Sequence, residues 1–462
     1  MATETTERQG YFTGWTVKTE GIIAPDERPT WGQSIFLGLQ HVLAMFGATV
    51  LAPILMGFNP NTAIFFSGIG TIIFFFIVGG RVPSYLGSSF SFIAVVLTAT
   101  GFASGFKGTG LNPNIGVALG GIIMAGVVYA IIGLIVIFTG YKWIDILLPP
   151  VVTGAVVAVI GLNLASVAVG EASTSSFDMI MAIVTILAVA AIAVYAPGAL
   201  RRLPVLLGGV IGYLIYLLLA NGFGLGKAID FSGVTSVAWV GLPNFSTPTF
   251  NGTAIGLIAP VAIVLVAENT GHVKAVAAMT GRSLDKYLGR AFLGDGLATI
   301  VAGIGGGTGV TTYAENIGVM AVTRIYSTVV FLIAAVVALL LGFCPKFGAL
   351  IHTIPLGVLG GLTIVLFGLI AATGGRIWVQ NRVDFSKSRN LVTVAFALTV
   401  GAGNFFINIG SFTLSAIGFA TFGAIILYQI LREREPQPEE MVSADSAVGL
   451  DPGAEPQSGA GE

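Results

Sequence analysis

Gly305-Gly306-Gly307-Thr308-Gly309-Val310-Thr311-Thr312-Tyr313-Ala314-Glu315 lies between apolar stretches and ends on a carboxylate. Nine of its first ten positions lack bulk or are polar or β-branched, so a helix has little reason to form there. Such backbone runs extended at membrane depth only where it is buried in protein or lines a cavity. A short helix over 311–325 would then turn its first backbone N–H groups toward that cavity, as donors for a small polar ligand, with Glu315 beside them as an acceptor. The glycines by themselves decide nothing, because small residues also serve close helix contact.

A membrane setting follows from the rest of the chain. Of 462 residues, 55% are apolar and 9% charged, against about a quarter charged in soluble proteins. Apolar runs separated by Gly, Pro or charge predict spans near 34–57, 61–80, 88–102, 113–139, 145–169, 177–195, 203–222, 254–278, 286–304, 311–325, 326–343, 350–372, 389–404 and 411–431, many of them near the ~20 residues that cross a hydrocarbon core as helix. The expected fold class is an all-α polytopic membrane protein of fourteen segments. With the N-terminus inside, eighteen of the 21 Lys and Arg residues fall in cytoplasmic segments and only Lys107, Lys227 and Lys346 outside. A missed span would invert everything after it and scramble that bias, so both termini are expected in the cytoplasm. Residues 1–33 are read as a polar cytoplasmic segment with no signal-peptide pattern, 34–431 as the transporter domain, and 432–462 as a disordered cytoplasmic tail rich in Glu, Pro, Ser, Ala and Gly. One cysteine, Cys344, and three scattered histidines, His41, His272 and His352, give neither a disulfide framework nor metal-ligand spacing, and no cofactor is expected.

Spans three and ten, 88–102 and 311–325, are short and follow Gly/Ser/Thr-rich stretches. Splitting fourteen spans seven and seven makes each the third of its half, and an odd number per half forces the halves into opposite orientations. Broken helices at matching places in an inverted repeat point to a binding site near the midplane. Pro150, Gly154 and Gly161 in span five echo Pro355, Gly361 and Gly368 in span twelve, although glycine-mediated helix packing explains that echo equally well.

Three acids fall inside predicted spans away from the terminal residues: Glu268, Asp295 and Glu315. A carboxylate at the bilayer centre costs at least ~2.5 kcal/mol on insertion scales, so it faces a cavity, a partner or a substrate. Glu268 and His272, at i and i+4, share a helix face and set two proton-exchanging groups side by side. That is the arrangement of a proton relay; the alternative is a structural hydrogen-bonded pair. Asp295, with no titratable neighbour on its own face, reads as a structural partner or a gate contact, and Gln40-His41 as a polar pair between helices.

Thr312 to Arg324 resembles the nucleobase–ascorbate transporter family (nucleobase:cation symporter-2), whose signature is Gln/Glu/Pro-Asn-x-Gly-x4-Thr-Arg/Lys/Gly. Glu315, Asn316, Gly318, Thr323 and Arg324 fill its fixed positions, and Gln40-His41 and Ala267-Glu268-x3-His272 are further matches. The likeness spans roughly residues 30 to 432 and is strongest to the bacterial pyrimidine permeases. It implies two inverted seven-helix repeats, with spans 1–4 and 8–11 forming a core and 5–7 and 12–14 a gate. It also implies import of uracil or a related pyrimidine base by proton symport, in a homodimer in the bacterial inner membrane. By the same resemblance, Glu268 and Glu315 hydrogen-bond the base, backbone amides at Phe90 and Ala314 meet its carbonyl oxygens, and Ala48, Phe90 and Tyr313 pack around the ring. His272 corresponds to the histidine of proton coupling. Phe367 stands where uracil permeases carry Tyr, which leaves thymine, or a purine such as xanthine, as alternative substrates. Anion transporters of the sulfate or bicarbonate kind share the architecture, but two carboxylates in one site would repel an anion. Lipid and a small base are the expected partners, nucleic acid is not, and no nucleophile/base set suggests an enzyme.

Overall fold

A computed structural model describes residues 11–12, 14–102, 111–198, 200–409 and 412–431; the predicted tail 432–462, Arg8 and Lys107 lie outside them. Strands β1 (Thr16–Val17) and β2 (Glu27–Arg28) precede α1 (Trp31–Met56) and α2 (Pro60–Val78). Next come β3 (Leu86–Ser88), a 3-10 turn at Phe90–Phe92, α3 (Ile93–Thr100) and α4 (Ile115–Thr139). The chain continues through α5 (Lys142–Leu147), α6 (Pro150–Asn163), α7 (Ala165–Ala172), α8 (Ser176–Tyr195), α9 (Pro204–Leu217) and α10 (Ser232–Ser236). The second half holds α11 (Gly252–Ile258), α12 (Val261–Thr280), α13 (Leu288–Gly305), β4 (Val310–Thr312) and α14 (Ala314–Thr323). It closes with α15 (Thr328–Gly342), α16 (Pro345–Ile351), α17 (Leu356–Gln380), α18 (Ser388–Ala402), the hairpin strands β5 (Ile407–Ile409) and β6 (Phe412–Leu414), and α19 (Ala416–Ile430).

The fold is all-α and polytopic. Among the described residues nine helical spans are long and apolar enough to cross a membrane, ten if α15 and α16, bent by 85°, count as one. Each predicted interval contains helix, but the boundaries need correction. Span five is three pieces, broken where Pro149-Pro150 supplies no backbone N–H and again at Leu164. Span eight breaks at Ala259-Pro260 into α11 and α12. Spans three and ten are each a short helix led in by a three-residue strand. Local chemistry sets many ends: Asn59 caps α2 ahead of Pro60, and Gly79 closes it in the left-handed region.

Helices α1 to α4 pack with α12 to α15, whereas α6 to α9 pack with α17 to α19. Glycine lets backbones meet in both groups: a Cβ on Gly296 of α13 would lie 2.8 Å from the Gly126 carbonyl of α4. The same packing accounts for Gly154 and Gly161, which face α17; Gly361 faces α8 and Gly368 has open space around it, so the glycine echo between spans five and twelve is not a matched pair of contacts.

The centre of the molecule is the antiparallel pairing of β3 with β4, in register Leu86↔Thr312, Gly87↔Thr311 and Ser88↔Val310. Two threonines anchor it in the same way from opposite sides. The Thr71 hydroxyl of α2 accepts from the Leu86 N–H at 2.9 Å and donates to the Ser67 carbonyl of its own helix at 2.8 Å, and the Thr299 hydroxyl of α13 accepts from the Val310 N–H at 3.2 Å and donates to the Val310 carbonyl. The N-terminal segment, expected only as polar chain, is tied down as well. Ile23 donates to the Arg324 carbonyl at 3.1 Å and accepts from Tyr326 N–H at 2.8 Å, while Asp26 pairs with Arg282.

Gly154→Val would force a side chain into the Trp378 indole and toward the Gly374 carbonyl, an overpacking worth ~1–3 kcal/mol. We expect a lower melting temperature and an aggregated fraction on size-exclusion chromatography in detergent, whereas Gly170→Val, with nothing within 4 Å, should behave as the parent. Equal behaviour of the two variants would refute the close α6–α17 contact.

Candidate functional site

A cavity of about 50 Å3 lies where the two interrupted helices meet. One wall is polar: Ser88, Ser89 and Phe90 from the first break, Thr311 to Glu315 from the second, and Glu268 and His272 from α12. The opposite wall comes from the other helix group and is largely apolar, with Val157 and Ile160 of α6 and Ile370 and Thr373 of α17. Phe90, Glu268, His272, Tyr313, Ala314 and Glu315, separated by up to 225 positions in the sequence, therefore share one space.

The break geometry explains how. β3 and β4 satisfy each other's backbone, so each chain can stop being helix without leaving bare amides in an apolar surround. Immediately after β4, α14 begins at Ala314 behind an N-cap, Tyr313, that makes no side-chain cap hydrogen bond, and Glu315 stands in its first turn on the cavity. Tyr313 is locked from both sides, its hydroxyl donating to the Ser88 carbonyl at 2.9 Å and accepting from Thr49 at 3.0 Å. The ring lies so close to β3 that a Cβ at Gly87 would sit 2.5 Å from it, and only glycine fits there.

Glu268 is oriented by hydroxyls from the other break: Ser91 and Ser89 both donate to Oε2, at 3.4 and 3.5 Å. His272 Nδ1 bonds the Thr312 hydroxyl at 2.9 Å. Glu268 and His272 thus stand on one face of α12, each fixed by a different interrupted helix.

Other expected residues lie around this space and not in it. Ala48 is fully buried on α1, beside the Thr49 that holds Tyr313. Phe367 packs edge-on against Phe90, ring centroids 5.6 Å apart, and backs the wall without lining it. Asn316 donates to His41 Nδ1 at 3.0 Å and to the His41 carbonyl at 3.1 Å, tying α14 to α1, with Gln40 buried alongside. Gly318 is open, the Thr323 hydroxyl donates to the Val319 carbonyl, and Arg324 ends α14 in the left-handed region at φ 57°. Asp295 is completely buried, accepting from Asn269 at 2.6 Å and Tyr129 at 3.4 Å. Its partners come from α12 and α4, which places it as a brace behind Glu268. His352 follows the end of α16.

Sequence reasoning missed Ser89, Ser91, Thr312 and Thr49, whose partners lie far away in the chain; the Ser88-Ser89-Phe90-Ser91 run was the available signal. It also missed a further buried acid. Glu171, two residues beyond the predicted end of span five, is 4% exposed because α7 continues through Ala172, and it accepts from Thr363 of α17 at 3.2 Å.

Residues 32–410 match the Xan_ur_permease family, described as Permease family. The chain is 59% identical to the Escherichia coli (strain K12) protein named "Putative pyrimidine permease RutG", over 93% of this chain and 98% of that one. It is 39% identical to the uracil permease of the same organism, over 93% and 99%. Among solved structures it resembles the transmembrane domain of the cyanobacterial bicarbonate transporter BicA, at TM-score 0.57 and 15% identity over 86% of this chain and 97% of that one. It also resembles SLC26A9, at TM-score 0.60 and 14% identity over 86% of this chain, spanning 64% of that one. Those identities speak to fold alone, and the multi-pass architecture agrees with them. The resemblance carried by the Glu315–Arg324 signature is thereby borne out: this chain belongs to the Xan_ur_permease (nucleobase:cation symporter-2) family of permeases, and it is a transporter, not an enzyme.

Proposed function

We propose that the chain imports uracil or a closely related pyrimidine base with protons across the bacterial cytoplasmic membrane by alternating access. The observation that carries this reading is the convergence of Glu268, Glu315 and the uncapped start of α14 on one cavity, in a chain whose relatives are named as pyrimidine and uracil permeases. Uracil offers N–H donors and C=O acceptors in one plane. The carboxylates accept from its N–H groups, the amides at Phe90 and Ala314 donate to its carbonyls, and Phe90 and Tyr313 close on the ring, backed by Phe367 and Ala48. Thr312 engages Nδ1 of His272, leaving Nε2 to exchange a proton with Glu268 or the cavity. An anion fits poorly against two carboxylates.

Fourteen spans in two inverted repeats are part of the same proposal. The matched hydrogen bonding of Thr71 and Thr299 around β3 and β4 supports it. So does the segregation of contacts into α1–α4 with α12–α15, the core, and α6–α9 with α17–α19, the gate. The base then sits between a polar core wall and an apolar gate wall, and rocking of one bundle on the other exposes it to either side. The cation bias supports cytoplasmic placement of both termini, and the homodimer implied by the resemblance is expected by mass photometry of the detergent-solubilised protein.

Proteoliposomes with an inward proton gradient should accumulate radiolabelled uracil, with loss of uptake on adding a protonophore and competition by unlabelled pyrimidines; purine or anion uptake in its place overturns the assignment. Glu268→Gln and Glu315→Gln each replace a charge-assisted hydrogen bond worth ~2–3 kcal/mol, so uptake at low substrate should fall about 30-fold or more. Replacing both Ser89 and Ser91 by Ala frees the Glu268 carboxylate from its orienting hydroxyls. The loss of roughly 1 kcal/mol should raise KM about fivefold, and an unchanged KM would remove the serines from any positioning role.

A further inference from the structure

We infer that a recess between α1, α9, α16 and α17 is a binding site for one acyl chain of a membrane lipid. The recess holds about 290 Å3, nearly twice the ~150 Å3 apolar cavity that takes up benzene in a soluble protein. Phe46 and Val50 of α1 form one side, Leu206 and Val210 of α9 another, and Phe347 and Leu350 of α16 border it further on. None of its lining residues is charged. The polar group among them, the Tyr213 hydroxyl, is already bonded to the Thr353 hydroxyl at 2.7 Å, so a polar guest would find at most one acceptor there.

These properties select the occupant. A buried water needs two to four polar partners, and a nucleobase needs in-plane donors and acceptors; the recess supplies neither. An empty space of this size would leave its lining without dispersion partners. A lipid chain would supply them, because exposed apolar side chains stand at the edge of the recess. Val210 and Leu350 at the rim are each 46% exposed, and Ile211 and Leu214 extend that apolar face along α9. A concave recess also suits a flexible chain better than a second copy of the protein, which would need a protruding, complementary surface. The site is separate from the cavity that holds Glu268 and Glu315: the two share no lining residue. The inference stands on the recess and the membrane setting, independently of which base is carried.

The test uses the full chain reconstituted in vesicles of phosphatidylcholine that carries a photoactivatable diazirine on one acyl chain. After irradiation, adducts are mapped by peptide mass spectrometry. Labelling should concentrate on the recess segments of α1, α9 and α16, severalfold above that on the outward face of α8 around Ile183 and Leu187, which is exposed to bulk lipid. Filling the recess by Leu206→Trp, or by Leu350→Trp from the opposite side should one variant fold poorly, should remove the excess and leave α8 labelling as it was. Recess labelling no denser than that of α8, or unchanged in a filled variant that folds, overturns the site.

Discussion

Two stretches of backbone that a bilayer could not tolerate singly lie side by side at the heart of this protein. Leu86–Ser88 and Val310–Thr312 exchange the hydrogen bonds that neither can find within its own helix, and Thr71 and Thr299 complete the outer edges. In hydrocarbon an unsatisfied amide or carbonyl costs several kcal/mol, so this small ladder is what permits two helices to start in mid-bundle. The groups proposed for recognition depend on those starts: the uncapped beginning of α14, the placement of Glu315, the Ser89 and Ser91 hydroxyls on Glu268, and the hydrogen bond of Thr312 to His272.

The cavity is chemically lopsided. Its hydrogen-bonding groups come from elements braced against one another by the strand pair, by the Asp295–Asn269–Tyr129 cluster and by the Asn316–His41 contact. The facing wall contributes chiefly apolar side chains of α6 and α17. A surface that makes few directional bonds can slide over a bound planar ring at little cost, while the braced side keeps its geometry. The same fold in a bicarbonate transporter and in SLC26A9 shows that architecture leaves the cargo open.

The sequence made the membrane class, the rough location of the helical stretches and the special status of the two short ones legible, because hydropathy and helix-hostile runs such as 305–314 are local properties. Glu268, Glu315 and His272 stood out as ionisable groups in apolar surroundings. What stayed hidden was either non-local or hung on a boundary. No local pattern reveals that Gly87 must be small for Tyr313, or that Ser91 reaches Glu268, 177 residues away. Glu171 was assigned to a loop because the hydropathic run fades before its helix does. Pro260 divides a span that composition alone makes continuous. Phe367 was expected against the ligand, but its ring is already taken up in packing on Phe90.

The central ladder also bears on how the protein is made. Its two strands are separated by more than 200 residues, so a ribosome that has delivered the first half of the chain has delivered β3 without β4. Until the second half arrives, that edge has to be sheltered by translocon, chaperone or transient water. The N-terminal segment waits longer still, since Ile23 finds its partners only when Arg324 and Tyr326 emerge. Biogenesis of such a protein is thus a problem of timing, in which the first half is held in trust until translation of the second supplies the missing strand.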